Sequence, residues 1–270
     1  MVTRADIRIA ARSLGLSGRP LCVHSSLRSF GWVEGGAQTV VEGLLTEGCT
    51  VLVPTFSPEE FAAPPPPDDH PSRNGMFSSW RPDTPLRPYS PDLDDIDLAE
   101  MGVIPAAVVS MTGRLRGNHP LCSFSAVGPL AGPLIGAQTP AEVFAPLRVL
   151  GELDGLVVMI GVGLNTMTLI HLAEQEAGRR MFIRWAVAPD GSVIRAECGG
   201  CSRGFGALEP VLDTFRRLRR VGSSSWAVYP AADVLRVAAA AIRANPEITR
   251  CSVPDCERCE DAIAGGPIVD

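Results

Sequence analysis

Short apolar runs alternate with helical patterns along the chain. Residues 19–27, 49–56 and 155–163 are hydrophobic runs that end in polar or glycine-rich turns. Runs of this kind are typical of strands covered on both faces. Residues 31–45 lie between the first two runs and place apolar residues on one helical face after a Gly-Gly pair. This order predicts an α/β fold with a mixed, largely parallel central sheet flanked by helices.

Two further helices are predicted in the middle of the chain. Residues 101–111 resume a helical pattern, and residues 139–153 form a second amphipathic stretch. In the second stretch Thr139 is placed to cap the helix, Pro140 to begin it, and Glu142 to complete a capping box.

The last third of the chain predicts a hairpin and two helices. An Asp-Gly pair divides residues 181–197 into two strand-like halves, as in a β-hairpin. Helical patterns follow at 208–220 and 230–245, so residues 196–270 are predicted to be a helical C-terminal part with paired cysteines. Because no repeat or linker interrupts the pattern, residues 1–270 are predicted to form one domain.

Residues 57–91 differ sharply in composition from the rest of the chain. They include PEEFAAPPPPDDHPSRNG, which is too rich in proline for a helix or an interior strand. Loops of this length are uncommon in compact domains unless they are functional or disordered. We therefore predict a proline-rich lid over a site, with a mobile connection as the alternative.

Composition limits the classes of partner. The hydrophobic content of 46% can form a buried core, and no apolar run approaches the roughly 18 residues of a membrane helix. The first residues are charged where a secretory signal would be apolar, so we expect a cytoplasmic protein. All 24 basic residues are arginine, and the net charge is −6. This balance disfavours nucleic acid and would attract a polycationic small molecule, with ordinary acidic solubility as the alternative.

A histidine and a glutamate on one predicted helix are candidates for chemistry. His171 and Glu174 stand at positions i and i+3, after the strand at 155–163. Ligands of open α/β sheets bind at the carboxyl ends of such strands. A carboxylate at this spacing can orient the imidazole or hold a cationic substrate. The alternative is a histidine that only fills the core or the surface.

The first turn of the predicted sheet offers an anion site. The segment HSSLRSFGWVEGGAQTV supplies hydroxyl groups and a glycine-led helix start, whose free amides can hold a phosphate. It lacks the Walker lysine and the G-x-G-x-x-G fingerprint, which disfavours a nucleotide hydrolase or a dehydrogenase. The turn is compatible with a phosphate-bearing cofactor.

Five ordered segments resemble one known family. VHSSLRSFGWVEGGAQTVVEGLL, VPTF, MGVIPAAVV, HPLCSFSAVGP and GVGLNTMTLIHLAE occur, roughly between residues 23 and 176, in the order of the aminoglycoside 3-N-acetyltransferase family. The resemblance implies an antibiotic acetyltransferase-like fold and transfer of an acetyl group from acetyl-CoA to the 3-amine of a cationic aminoglycoside. It also implies that His171 is catalytic. The residues implied for the coenzyme site are His24, Ser25, Ser26, Leu27, Gly35 and Gly36, with His119 and Ser123 beside the cleft.

Two departures from the family pattern leave the acceptor open. Arg-Gly-Asn-His-Pro stands at 116–120 where members commonly have Arg-Ser-x-His-Pro. Leu164 directly joins Gly163 to Asn165, where many resistance enzymes have a longer stretch. One alternative is a same-fold acyltransferase that acts on a different amine in a biosynthetic pathway. A non-catalytic zinc-binding module is the other.

The proposed chemistry needs a proton acceptor. An aminoglycoside amine is largely protonated near neutral pH, so a base must remove a proton as the nitrogen attacks the thioester. Histidine, with an ordinary pKa of about 6.5, suits this task. Direct transfer is expected because no nucleophile motif such as G-x-S-x-G is present. Glu174, or the acidic run at 92–100, could hold ammonium groups. Oxyanion donors could be backbone amides or the hydroxyl groups of Ser25, Ser26, Thr166 and Thr168.

Five of the eight cysteines lie near the C-terminus. Cys198 and Cys201 form one C-x-x-C pair, Cys256 and Cys259 form another, and Cys251 precedes the second pair. In a reducing compartment such pairs are typical of a closed, structural zinc site. We predict that the four paired cysteines bind zinc. The fifth cysteine leaves the ligand set open, and reduced thiols without metal are the alternative. Core positions are predicted for Cys22, Cys49 and Cys122.

Overall fold

The computed structural model describes residues 1–69, 71–75 and 86–268. None of the helices in these ranges is long and apolar enough to cross a membrane. The helices are α1 (Arg4–Ser13), α2 (Gly36–Thr46), α3 (Leu98–Met101), α4 (Val103–Val109), α5 (Ala131–Gly136), α6 (Ala145–Glu152), α7 (Leu169–Glu176), α8 (Glu209–Leu212), α9 (Ala231–Ala244) and α10 (Glu257–Ile263).

Strands are distributed along the whole chain. They are β1 (Pro20–Ser25), β2 (Thr50–Pro54), β3 (Ala62–Ala63), β4 (Leu115–Arg116), β5 (Phe124–Val127), β6 (Leu156–Ile160), β7 (Phe182–Val187), β8 (Val193–Cys198), β9 (Arg217–Val221) and β10 (Ser224–Pro230).

A seven-stranded mixed sheet forms the centre of the fold, in the order β4-β5-β2-β1-β6-β10-β9. β1 pairs in parallel with β2 and with β6, and its register places His24 beside Met159 and Ser25 beside Ile160. The outer pairs β5-β2, β4-β5, β10-β6 and β9-β10 are antiparallel. The predicted mixed α/β fold is confirmed. Its parallel part includes β1 and β2, which are joined by α2 as the sequence indicates.

Helices cover both faces of this sheet. Along β6, Val157 and Met159 belong to one apolar cluster, whereas Leu156, Val158 and Ile160 belong to the other. Successive side chains of a strand point to opposite faces, so a continuous apolar run buries both faces. The first cluster is completed by α5, α6, α7 and α9, and the second by α1, α2 and α4.

A smaller antiparallel sheet, β3-β7-β8, holds the described part of the predicted lid. Ala62 pairs with Ala186, which joins the segment after β2 to the predicted hairpin, itself confirmed as β7 and β8. Asn74 exchanges two hydrogen bonds with the backbone of Ile183, at 2.9 and 2.8 Å. Residues 70 and 76–85 of the predicted lid lie outside the described residues. A closing movement stays a prediction.

The predicted helix start at Thr139 is wrong. α6 begins at Ala145, and Thr139 instead accepts a hydrogen bond from the backbone N–H of Glu142 in a tight turn, at 3.1 Å. Pro146 explains the difference, because proline lacks an N–H group and is tolerated only in the first helical turn. A helix beginning at Pro140 would place Pro146 in its interior.

The C-terminal part is not wholly helical, contrary to the prediction for residues 196–270. α8 ends at Leu212, and Arg217–Val221 form an edge strand where a helix was predicted. β10 then joins the central sheet beside β6, with Trp226 and Val228 fully buried. Pairing with β10 at the edge of the sheet outweighs the weak helical pattern of the arginine-rich stretch.

We expect Gly161→Ala to destabilise the fold and Gly163→Ala to be tolerated. Gly161 has a φ of 64°, and a Cβ there would lie 2.1 Å from the Oγ atom of Ser29. Gly163 has a φ of −98°, and a Cβ there would meet nothing within 4 Å. Denaturant unfolding should show a loss of about 2 kcal/mol or more for Gly161→Ala. Gly163→Ala should stay within about 1 kcal/mol of the parent. Equal losses would contradict this assignment.

Candidate active site

A cleft of about 990 Å³ lies at the carboxyl ends of the parallel strands. Ser25 at the end of β1, Pro54 at the end of β2 and Val162 just after β6 line it. This is where open α/β sheets bind ligands. Residues from other parts of the chain complete the wall, including Glu59 and Ala62 of the predicted lid, Asp97 and Glu100, His171, Cys198 to Arg203, and Asp255 to Arg258.

His171 is held firmly in the cleft wall. Phe144 stacks on its ring, with the planes 9° apart and the centroids separated by 5.9 Å. Phe205 meets the ring edge-on at 4.8 Å. A Cβ atom at Gly199 would lie 2.7 Å from Cδ2 of the imidazole, so only glycine leaves room for the ring in this position. The side chain therefore has one defined orientation.

Glu174 links His171 to a buried ionic network. Its Oε2 atom lies 2.8 Å from Nδ1 of His171, and its Oε1 atom accepts from Nη1 of Arg179. Thr249, in the turn after α9, donates to the same Oε1 at 3.3 Å. Arg179 also donates to the carbonyl oxygen of Pro246 at 2.5 Å. These contacts occupy Glu174, so it orients the histidine and is not available to hold a cationic substrate.

The network determines which imidazole nitrogen can accept a proton. An ionised carboxylate paired with arginine can only accept hydrogen bonds, so Nδ1 of His171 carries the ring proton. Within the described part of the chain Nε2 has no hydrogen-bond partner. The lone pair of Nε2 is thus left for a substrate, which is the arrangement of a general base.

Two residues of the predicted coenzyme site, His24 and Ser25, line the cleft. His24 is buried, and burial lowers its pKa to about 4, so it is neutral at physiological pH. The Oγ atom of Ser25 is buried and makes no hydrogen bond to any described residue. A buried hydroxyl group without a partner is costly, which makes Ser25 a candidate donor to a bound ligand.

The other residues of this segment lie beside the cleft and not in its lining. Ser26 donates its backbone N–H to the carbonyl oxygen of Ile160 at 2.9 Å, and Leu27 begins a short 3-10 turn. Gly35 and Gly36 have positive φ values of 72° and 64° and begin α2. Their contact with a coenzyme stays a prediction.

His119 and Ser123 are placed differently from the prediction. His119 is fully buried, donates from Nε2 to the carbonyl oxygen of Glu197 at 2.8 Å, and accepts at Nδ1 from the backbone N–H of Cys122 at 2.8 Å. The hydroxyl group of Ser123 donates to the carbonyl oxygen of Thr55 at 2.7 Å. Both side chains lie behind the cleft wall and shape it, so the predicted contact with the coenzyme is corrected.

Arg116 was not predicted, yet it organises this wall. Its guanidinium group donates to Ser123 Oγ at 3.0 Å and to the carbonyl oxygens of Thr55, Leu93 and Asp95 at 2.7 to 2.8 Å. It therefore joins β2, β5 and the loop before α3. Because most of its partners are backbone carbonyl groups, no sequence pattern identifies it.

Carboxylates are abundant around the cleft. Asp97 and Glu100, from the predicted acidic run, line the wall, whereas Asp94 and Asp95 pair with arginines outside it, at 2.7 and 3.0 Å. Other acidic residues in the lining are Glu59, Asp255 and Glu257. Arg184, Arg203 and Arg258 also line the cleft, so the lining holds five carboxylates and three guanidinium groups, and this acidic balance suits a cationic ligand.

Four cysteines come together at one end of the cleft, but they are not the predicted four. The Sγ atoms of Cys201, Cys251, Cys256 and Cys259 all lie within 4.8 Å of one another. We call them the four-cysteine cluster. Cys198, the last residue of β8, lies outside this cluster and contacts Cys122. The predicted metal site is corrected by replacing Cys198 with Cys251.

Comparison with known proteins identifies the family of this chain. A family model described as aminoglycoside 3-N-acetyltransferase matches residues 22–243. The chain belongs to this family. A family relative, aminoglycoside N(3)-acetyltransferase IX of Micromonospora chalcea, is 33% identical over 187 residues, or 66% of this chain. The match spans 64% of that relative, slightly less than two thirds of its length.

Solved structures share the family fold. The apoenzyme of aminoglycoside acetyltransferase AAC(3)-IVa has a TM-score of 0.79 and 24% identity, covering 97% of both chains. AAC-IIIb, solved as a binary complex with CoASH, has a TM-score of 0.71 and 22% identity, covering 90% of this chain and 96% of its own. At these identities the likeness shows the fold.

We expect His119→Asn to reduce stability most near neutral pH. Burial lowers the pKa of His119 to about 4, below the ordinary value of about 6.5. The folded state therefore binds fewer protons, and the contribution of His119 is lost as pH falls from about 6.5 to about 4. Asparagine keeps a hydrogen-bond acceptor near the position of Nδ1. It removes the Nε2–H donor and has no group that titrates in this pH range. The variant should lose about 1–3 kcal/mol of unfolding free energy at pH 7 and less at pH 4.5.

Unfolding of both proteins by denaturant across this pH range tests the expectation. His24, whose pKa is also about 4, is present in both proteins and cancels in the difference. A difference in stability that does not change with pH would show that burial does not lower the pKa of His119.

Proposed function

We propose that this protein transfers an acetyl group from acetyl-CoA to the 3-amine of an aminoglycoside, with His171 as the general base. The observation that carries the proposal is the His171–Glu174 pair in the cleft wall, with Nδ1 held at 2.8 Å and Nε2 left for the substrate. Membership of the family supports the reaction class, and the acidic cleft lining supports a cationic acceptor.

The proton follows a short path in this mechanism. The acceptor amine loses its ammonium proton to solvent and attacks the thioester carbonyl in its neutral form, and Nε2 of His171 takes a second proton from the nitrogen as the new N–C bond forms. The imidazolium that results is stabilised by the adjacent Glu174 carboxylate. Arg179 pairs with this carboxylate inside the wall, where an unpaired charge would be costly. The C–S bond then breaks, and the coenzyme A thiolate takes the proton from the imidazolium, which restores neutral His171.

Direct transfer requires both substrates to be bound at once. The cleft volume of about 990 Å³ is at the upper end of the range for small-molecule sites, which leaves room for the pantetheine arm and an aminoglycoside. The hydroxyl group of Ser25, at the end of β1, is the candidate donor to the developing thioester oxyanion. The glycine-led start of α2 would hold phosphates of the coenzyme outside the cleft.

One argument for a different acceptor amine is the departure from the family pattern in the segment before His119. The position of this segment does not support that argument. Gly117 accepts a hydrogen bond from the hydroxyl group of Tyr89 at 2.6 Å, and residues 116–120 do not line the cleft. The residues that depart from the family pattern here therefore do not contact an acceptor bound in the cleft. Acetyl-CoA as the donor is consistent with action in the cytoplasm.

We also propose that the four-cysteine cluster binds one structural zinc ion. Tetrahedral zinc with Zn–S bonds of about 2.3 Å separates its sulfur atoms by about 3.8 Å, and the four Sγ atoms lie within 4.8 Å of one another. The backbone N–H of Cys251 donates to Sγ of Cys259 at 3.4 Å, as is favourable for a thiolate ligand. Four thiolates leave no open position, so the ion would stabilise the fold and not act on substrate.

We expect His171→Ala to lower kcat by about 10²- to 10⁴-fold, the usual effect of losing a general base. Release of coenzyme A thiol, measured with acetyl-CoA and a panel of aminoglycosides, gives the rate. Calorimetric titration with acetyl-CoA should show nearly unchanged affinity, because the imidazole acts on the acceptor amine.

Two glutamates of α7 provide a matched pair for this test. Glu174→Gln removes the charge behind Nδ1 and should lower kcat more than it changes KM. Glu176→Gln changes only an exposed ion pair with Arg148 and should leave turnover unchanged. Near-parental turnover by His171→Ala would place the proton acceptor elsewhere.

We expect protein purified without chelator to contain about one zinc ion per chain. Cys256→Ser should lower both the zinc content and the unfolding temperature, because metal binding contributes directly to folding. Cys198→Ser is the matched control and should retain the zinc. Absence of metal together with four freely titrating thiols, or equal zinc loss in both variants, would contradict the proposed ligand set.

A further inference from the structure

Two thiols outside the four-cysteine cluster meet in the cleft wall. Sγ of Cys122 lies 3.3 Å from Sγ of Cys198, and both residues line the cleft. They belong to segments that are distant in sequence, the loop before β5 and the end of β8. The proposed reaction and the proposed zinc site use neither thiol.

The backbone beside these thiols is joined by an independent contact. His119 donates to the carbonyl oxygen of Glu197 at 2.8 Å and accepts from the backbone N–H of Cys122 at 2.8 Å. One imidazole therefore bridges the residue before Cys198 and Cys122 itself. This bridge holds the two backbone segments together, so the close approach of the two sulfur atoms does not depend on a chance contact between exposed side chains.

The remaining gap is small. A disulfide has an S–S length of about 2.05 Å, so the two Sγ atoms must approach by a little more than 1 Å.

The two thiols also differ in a way that favours exchange. Cys122 donates its S–H to Cys198, and this hydrogen bond, together with the charge of Arg184, lowers the pKa of Cys198. The same interaction and burial raise the pKa of Cys122. Cys198 is thus the attacking thiolate and Cys122 the resolving thiol.

We propose that Cys122 and Cys198 form a reversible disulfide that lowers turnover when the thiol pool is oxidised. The oxidant is a low-molecular-weight disulfide. The Cys198 thiolate attacks one of its sulfur atoms, forms a mixed disulfide and releases one small thiolate. Deprotonated Cys122 then attacks Sγ of Cys198, the mixed disulfide breaks, and the second small thiolate leaves. Two cysteines are oxidised, one small disulfide is reduced to two thiols, and the cysteine protons pass to the released thiolates.

Loss of turnover follows from the residue next to Cys198. Gly199 packs so closely on His171 that a Cβ would lie 2.7 Å from its ring. A movement of about 1 Å at Cys198 therefore reaches the imidazole, and a displacement of that size in a catalytic group can cost about 10²-fold in rate. This step rests on the proposed role of His171.

The test equilibrates the zinc-supplemented protein with a series of ratios of glutathione to glutathione disulfide. Peptide mapping by mass spectrometry should detect a Cys122–Cys198 disulfide. In parallel, kcat should fall about 10- to 100-fold and recover after dithiothreitol. Mapping that detects no such disulfide at the most oxidising ratio, or a disulfide instead within the four-cysteine cluster, would overturn the proposal. A mapped disulfide with unchanged kcat would overturn it equally.

Two variants separate this pair from general oxidation. Cys198→Ser keeps a hydroxyl group at this position but removes the attacking thiol, so its own reduced and oxidised rates should be equal. Cys49→Ser removes a core thiol that donates to the carbonyl oxygen of Leu16 at 3.2 Å, and it should respond as the parent does. Peptide mapping detects the disulfide whether or not the protein is active. Lack of acetyltransferase activity in the reduced protein would therefore contradict the proposed function, and would leave the disulfide to be judged by mapping.

Discussion

The buried ion pair between Glu174 and Arg179 is the interaction on which the candidate site depends. The carboxylate serves His171 on one side and the guanidinium group on the other. Because Oε1 accepts from Arg179, Oε2 is left to accept from Nδ1 of His171, and the lone pair of Nε2 is left toward the cleft. The arginine behind the wall thus helps to decide which ring nitrogen carries the proton.

Two groups of cysteines flank this arrangement and differ in chemistry because of a single turn. Cys198 is the last residue of β8 and meets Cys122, whereas Cys201 lies beyond Gly199 and Gly200 and joins the four-cysteine cluster. Six thiols near one another would be prone to disulfide scrambling. The glycine turn separates the two groups. Cys201 and three cysteines of the C-terminal segment form a potential metal site, and Cys122 and Cys198 remain as one close pair that can undergo thiol–disulfide exchange.

The central sheet and the His171–Glu174 pair could be predicted because each depends on local pattern. Continuous apolar runs define β1, β2 and β6, and the i, i+3 spacing on α7 places the carboxylate beside the imidazole. The errors arise where a distant contact decides the outcome. β9 is a strand because β10 offers it a pairing partner, and Cys251 replaces Cys198 because α10 folds back to Cys201. Arg116 begins the Arg-Gly-Asn-His-Pro segment, but its role in the wall could not be predicted, because its backbone carbonyl partners carry no sequence signature.

The contact between Thr249 and Glu174 joins residues 75 positions apart in the chain. During synthesis α7 leaves the ribosome well before the turn that carries Thr249, and Pro246 accepts from Arg179 in that same turn. Domains fold as units as the chain emerges. A nascent chain that ends between α7 and α9 therefore holds a charged pair that lacks its three hydrogen bonds to Pro246 and Thr249. The surroundings that hold Glu174 against His171 are complete only when this later turn has been synthesised and packed.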